Sequence, residues 1–113
     1  MWAIYDYSKF PVVYVKFNKH IKNENEFNQF LKEWILLYQN KKEFTFIFDT
    51  TKVSPPNIKY CRKMTRFIKK IKRFPKQYLQ KSTIIISNNY IKYLLKFIFT
   101  IQKPVAPVHY KII

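Results

Sequence analysis

Eight basic side chains lie between residues 58 and 74, and their types and spacing suit one kind of chemistry, the binding of anions. On a helix that turns by about 100° per residue, seven of the eight fall within an arc of about 120°. Neighbours four residues apart, such as Arg62 and Arg66, repel each other by about 0.2–0.5 kcal/mol, and a bound polyanion would relieve that repulsion. The predicted polyanion-binding or partner-binding residues are Lys59, Arg62, Lys63, Arg66, Lys69, Lys70 and Arg73.

The charge of the whole chain is also unevenly placed. Its formal net charge is +16, and residues 1–49 carry +1 whereas residues 50–113 carry +15, with no side-chain carboxylate after Asp49. Such an imbalance is typical of proteins that bind a polyanion, and three partners stay open: an acidic protein, nucleic acid and an anionic membrane surface. Because the chain has three arginines and no helix-turn-helix spacing, nucleic acid would be contacted nonspecifically, through its phosphates.

Codon composition offers a competing explanation of the charge. Phe, Tyr, Met, Ile, Asn and Lys make up 64 of the 113 residues, and Lys outnumbers Arg by 19 to 3. Since these six amino acids have AT-rich codons, an AT-rich genome supplies lysines without any selected partner. The composition suits a large DNA virus or an AT-rich eukaryotic parasite, and the sequence leaves open whether the charge is selected.

A second group of polar residues follows the predicted strand at 44–48. Asp49, Thr50 and Ser54 lie there, and ligands of open α/β sheets bind beyond the carboxyl ends of the strands. Asp49 suits either a general base or an Asx turn that shapes the loop, and the Asx turn is the more common role. A phosphate on Ser54 would meet a predicted helix N-terminus and nearby lysines. Asp49, Thr50 and Ser54 therefore form a candidate phosphosite or loop site.

The chain lacks the residue sets that common catalytic and cofactor sites need. It has no glycine, which excludes the Rossmann, Walker A and nucleophile-elbow motifs, and one cysteine with two histidines is too few for a zinc site. The remaining acids lie elsewhere along the chain from Asp49, His109 falls in a predicted edge strand, and Cys61 falls on the apolar arc of the basic helix. We predict a protein that is not an enzyme and needs no cofactor or metal ion.

Hydrophobic periodicity places these residues on eight elements in the order β-β-α-β-α-β-α-β. Asn23 with Glu26 forms a capping box for the first helix, and the later helices open at Asn57 and at Asn88-Asn89. The first two strands are expected to pair antiparallel, and the apolar run 44–48 suits a central strand covered on both faces. We expect one α/β domain over residues 1–113, with helices packed on a mixed, mostly parallel sheet. The strands are predicted at 2–7, 12–17, 44–48, 82–87 and 108–113, with a first helix ending at Asn40 and helices at 58–74 and 90–100.

This element order, with Asp49-Thr50-Thr51 after the central strand and Ser54 before the second helix, resembles the STAS fold. That fold belongs to anti-sigma-factor antagonists and sulfate-transporter tails, and the sheet is also similar to that of CRAL-TRIO lipid-binding domains. In STAS domains an aspartate ends the central strand and a segment of Asp-Ser-Ser/Thr-Gly type starts the helix. Asp49 matches the aspartate, and Ser54 aligns loosely with the phosphorylatable serine, but the segment 54–57 lacks the acidic residue and the glycine. The resemblance implies a protein-interaction module and not a catalyst.

The sequence shows no signal for export or for membrane insertion. No apolar run reaches the about 18 residues of a membrane span, because Lys92 and Lys96 interrupt residues 90–101. The N-terminus lacks the basic start and the cleavage site of a signal peptide, so we expect an intracellular location or one inside a virus particle. The expected function is that of a non-catalytic interaction or structural protein that docks on an acidic protein, or another polyanion, within a larger assembly. Nonspecific nucleic-acid binding through residues 58–74 and anionic-lipid binding are the alternatives.

Overall fold

Eight elements follow the predicted order β-β-α-β-α-β-α-β. The computed structural model describes residues 1–54, 57–87 and 89–113 of the chain. The strands are β1 (Ala3–Asp6), β2 (Val12–Phe17), β3 (Phe44–Asp49), β4 (Leu79–Ile86) and β5 (Val108–Ile112). The helices are α1 (Glu24–Gln39), α2 (Ile58–Lys72) and α3 (Asn89–Ile101). The predicted fold class, one α/β domain with a mixed sheet and helices packed on it, is confirmed.

All three helices cover the same face of the sheet. The strands lie in the order β1-β2-β3-β4-β5, with β1 antiparallel to β2 as predicted and every later pair parallel. The helices α1, α2 and α3 connect β2 to β3, β3 to β4 and β4 to β5, so the sheet grows in one direction from strand to strand. Because such crossovers are right-handed, all three helices lie on one face of the sheet. Ring contacts are consistent with this arrangement. The centroid of the Trp34 ring in α1 lies 4.9 Å from that of Phe46 in β3 and 5.1 Å from that of Phe67 in α2.

The opposite face of the sheet carries no helix from the described residues. Along β3, Phe44 and Phe46 are buried under the helices, whereas Ile47 and Asp49 on the other face are half-buried. The expectation that this strand is covered on both faces is therefore wrong, and the cause is the common hand of the three crossovers. We call this surface the open face. One of its rows is Ile4, Lys16, Asp49, Ile85 and Lys111, and the next is Asp6, Tyr14, Ile47, Thr83 and His109.

Two elements have ends that differ clearly from the prediction. β4 begins at Leu79 and not at residue 82, because Leu79 pairs with Phe44 ahead of a register shift that lies between Phe44 and Phe46. α2 ends at Lys72, two residues before the predicted end, and Arg73 is its C-cap. β5 lies at the edge of the sheet, as the sequence predicts.

The first helix begins at the predicted cap. The Asn23 side chain accepts a hydrogen bond from the Glu26 N–H at 3.1 Å, but the Glu26 carboxylate accepts from the Lys22 N–H, and the reciprocal bond of a capping box is absent from these residues. The predicted cap at Asn88 and the prolines 55 and 56 of the predicted loop lie outside the described residues. Within the described ranges, no helix is long and apolar enough to cross a membrane.

Replacing Phe46 by Ala is expected to lower the free energy of unfolding by about 3–5 kcal/mol, because the side chain is 1% exposed and its removal leaves a cavity among aromatic rings. The matched control is Ile47→Ala, the next residue on the same strand, which faces the open side and is expected to cost about 1 kcal/mol. Urea denaturation followed by circular dichroism measures both. Equal losses would contradict a sheet that is covered on one face.

Candidate functional site

The basic residues of α2 are held outward by the apolar residues on the other side of the helix. Cys61, Phe67, Ile68 and Ile71 are buried, and they fix the rotation of α2 about its axis. The seven predicted residues, which we call the basic stripe, therefore point away from the sheet. All are exposed except Lys63, which is half-buried. Those in the last turn, Lys69 and Lys70, also lie favourably near the negative end of the helix dipole.

One end of the basic stripe is paired with an acid from another helix. The Glu24 carboxylate of α1 lies 2.7 Å from Lys59 Nζ and 3.5 Å from Lys63 Nζ. The hydrogen bond from Lys59 lowers the pKa of Glu24 and raises that of Lys59. The repulsion along the stripe, which contains no acid of its own, is therefore partly offset at this end by an acid of another helix.

Five members of the basic stripe are left without such compensation. In residues 1–54, 57–87 and 89–113 no ion pair involves any of them. We call them the open stripe, and they are Arg62, Arg66, Lys69, Lys70 and Arg73. With a rise of about 1.5 Å per residue, the stripe extends over about 16 Å of the helix surface. It can present several cations to one extended anionic surface.

The residues of the second candidate group have separate structural roles. Asp49 Oδ1 accepts hydrogen bonds from Thr51 N at 3.0 Å and from Thr51 Oγ1 at 2.6 Å, which is the Asx-turn arrangement expected from the sequence. The hydrogen bond from the Thr51 side chain is the largest cause of a lowered pKa of Asp49. Thr50 donates its N–H and its hydroxyl to Ile85 O, at 3.0 and 2.8 Å, and so fastens the loop to β4.

Ser54 lies in a different environment. Its N–H donates to Lys19 O at 2.9 Å, and the residue is half-buried beside a cleft that His20 and Asn57 also line. No described hydrogen bond joins Ser54 to Asp49, and the candidate phosphosite or loop site at Asp49, Thr50 and Ser54 stays a prediction.

The remaining nucleophile and histidines are not brought together. Cys61 is buried on the side of α2 that meets α3, and desolvation raises the pKa of its thiol. His109 lies on the exposed open face opposite Thr83, and His20 lies at the Ser54 cleft. In the part of the chain that the structure describes, no group of three or more His, Cys, Asp or Glu residues could hold a metal ion.

Two features of the helical layer were not predicted. One is an apolar cavity of about 150 Å³ between the sheet and the three helices, with walls that include Phe30 of α1, Met64 and Ile68 of α2, and Leu95 and Ile98 of α3. The other is a row of exposed apolar side chains on α3. Its spacing of three and four residues is visible in the sequence, but an apolar helix usually indicates burial. That row is formed by Tyr90, Tyr93, Phe97 and Ile101.

Comparisons with known proteins give no family for this chain. No protein-family model, no curated protein and no solved structure matches it.

Replacing Thr51 by Val is expected to raise the pKa of Asp49 toward its ordinary value, because the hydroxyl donor is lost while the Thr51 N–H still donates. A lowered pKa in the folded state stabilises the protein at pH values above the unfolded pKa of about 3.9, and this contribution is lost as the pH falls through the folded pKa. The destabilisation caused by Thr51→Val should therefore shrink in acid. An NMR titration of the Asp49 carboxyl carbon and urea denaturation at neutral and acid pH measure the two effects.

The matched control for this titration is Thr50→Val, since the Thr50 hydroxyl donates to Ile85 O and not to Asp49. It should leave the pKa of Asp49 unchanged. An Asp49 pKa that moves equally in both variants would show that the Asx turn is not the cause of the shift.

Proposed function

We propose that the protein is a non-catalytic interaction module that docks on a polyanionic partner through the open stripe of α2. The observation that carries the proposal is the placement of five exposed, uncompensated cations on one helix face. They stand in a part of the chain, residues 50–113, that has no side-chain carboxylate. An external anion is therefore the partner that their charge favours.

The repulsion within the stripe supports the same function. Arg62 and Arg66, Arg66 and Lys70, and Lys69 and Arg73 stand four residues apart, and each such pair destabilises an isolated helix by about 0.2–0.5 kcal/mol. Burial of the opposite face of α2 holds the helix in place despite this repulsion. A polyanion bound across the stripe would convert the repulsion into attraction, and counterions released from both surfaces would add to the affinity.

The proposed setting is a larger assembly, inside a cell or in a virus particle, in which the partner offers an acidic surface. The element order, which resembles that of STAS interaction modules, supports such a role. Recognition would depend on charge density, because exposed Lys and Arg side chains are flexible. Base stacking on α2 itself does not support nucleic acid as the partner, since its two aromatic side chains, Tyr60 and Phe67, are half-buried and buried respectively and pack in the core.

The test is a triple variant, Arg62→Gln/Arg66→Gln/Lys69→Gln, with a random-sequence DNA duplex and poly-L-glutamate as polyanionic probes. For the duplex, loss of three phosphate contacts should reduce the slope of log affinity against log salt by about 2 to 3. Fluorescence anisotropy over a salt series measures the slope. Poly-L-glutamate should also bind the variant more weakly than the wild type.

The matched control removes the same number of charges elsewhere, as Lys22→Gln/Lys32→Gln/Lys42→Gln, three exposed residues outside α2. It should change the slope much less than the stripe variant does. If both triple variants lose the same affinity, net charge alone governs binding and the proposed docking surface is wrong. An affinity of the wild type that does not change with salt concentration would also overturn the proposal.

A further inference from the structure

The outer side of α3 exposes a row of large apolar residues. Tyr90, Tyr93, Phe97 and Ile101 are 62%, 65%, 56% and 63% exposed, and their spacing of three, four and four residues places them on one side of the helix. We call them the apolar row. On the other side of α3, Ile98 is buried in the core and anchors the helix, so the apolar row is not needed for that packing. A contiguous exposed apolar surface of this kind marks an interaction site more often than a solvated surface does.

The apolar row and the open stripe belong to one surface. α2 and α3 are neighbours, because Cys61 and Ile68 of α2 pack with Ile98 of α3. Both helices connect parallel strands on the same face of the sheet, so they run in the same direction and their exposed sides point away from the sheet together. The surface that results is cationic along α2 and apolar along α3, and neither helix contains an acidic residue.

Cations also flank the apolar row. Lys96 is exposed on α3 itself, and Lys92 Nζ lies 6.0 Å from the centre of the Tyr110 ring at the edge of the sheet. Long side chains of this kind can extend their charge toward a headgroup layer while their methylene groups lie against apolar surface.

We infer that this α2–α3 surface docks on an anionic phospholipid bilayer, with the apolar row in the interfacial region and the open stripe on the headgroups. The inference rests on the proposed function and names the partner. Phe and Tyr side chains suit the membrane interface, and each Lys or Arg near an anionic bilayer adds to the attraction. An acidic protein surface carries charges of both signs, whereas a bilayer of acidic lipid presents a uniform anionic plane. A docking surface without a single carboxylate fits the second better.

Vesicle sedimentation tests the inference with two compositions, pure phosphatidylcholine and equal parts of phosphatidylcholine and phosphatidylserine. The wild type should bind the second vesicles and leave the first almost unbound. Tyr93→Ser/Phe97→Ser should weaken binding to the acidic vesicles by about tenfold, because apolar contact with the interface is lost. The Arg62→Gln/Arg66→Gln/Lys69→Gln variant should weaken it by about 100-fold.

The matched control for the apolar row is Ile4→Ser/Tyr14→Ser, which removes two exposed apolar side chains from the open face. It should bind the acidic vesicles as the wild type does. Urea denaturation of each variant checks that it is folded. Independently of these variants, Phe97→Trp should show blue-shifted fluorescence on acidic vesicles and quenching by brominated lipid, since Trp2 and Trp34 are buried.

The outcomes separate the inference from the proposed function. If the wild type binds DNA and poly-L-glutamate through the open stripe but not the acidic vesicles, the lipid inference fails and the polyanion function stands. If acidic vesicles bind equally well without the apolar row, the surface is only electrostatic and the inference is overturned. A loss of poly-L-glutamate binding in Tyr93→Ser/Phe97→Ser would point to an acidic protein, and this too would overturn it. If the stripe variant changes neither polyanion nor vesicle binding, the proposed function itself fails.

Discussion

The packing of Trp34 between the sheet and α2 is the interaction on which the rest of the structure depends. The centroid of its ring lies 4.9 Å from that of Phe46, 5.9 Å from that of Phe48 and 5.1 Å from that of Phe67. One side chain of α1 therefore packs against both the central strand and the neighbouring helix. Its buried Nε1–H has no hydrogen-bond partner among the described residues, and its contribution therefore comes from ring packing. Since Phe67 faces this ring, α2 has one rotation available, and that rotation turns Arg62 and its neighbours outward.

The one-sided arrangement of the helices also separates the charges of the molecule. The open face keeps carboxylates beside cations: Lys16 stands opposite Asp49, and its charge is one cause of the lowered pKa of that acid. On the helical side, Glu24 forms ion pairs with Lys59 and Lys63 at one end of α2. The outer surface of α2 and α3 is left with cations and no acid, although the chain as a whole has 6 acidic residues. The asymmetry along the sequence thus becomes an asymmetry within the helical layer, because α1 carries Glu24, Glu26 and Glu33 whereas α2 and α3 carry no acid.

The sequence predicts best what depends on neighbours along the chain. The amphipathic pattern of α2, the Asn23 cap and the Asx turn at Asp49 are all local, and all three are confirmed. The pairing of Glu24 with Lys59 spans 35 residues and follows no periodicity, so only the packing of α1 beside α2 reveals it. The absence of a helix on the second face of β3, among the described residues, was missed because an apolar strand has the same sequence pattern whether its second face is covered or open. The apolar row was missed because α3 is mostly apolar, and a mostly apolar helix usually indicates burial.

The arginines help to decide between a selected surface and codon bias. An AT-rich genome explains an excess of lysine, and Lys outnumbers Arg by 19 to 3. It does not explain why all three arginines, Arg62, Arg66 and Arg73, stand in the open stripe and none elsewhere on the chain. Arginine is more weakly hydrated than lysine and binds carboxylate or phosphate with two hydrogen bonds, so it suits an interface that must lose water. Composition thus accounts for an excess of lysine without a partner, whereas it does not account for the clustering of the three arginines on one side of α2.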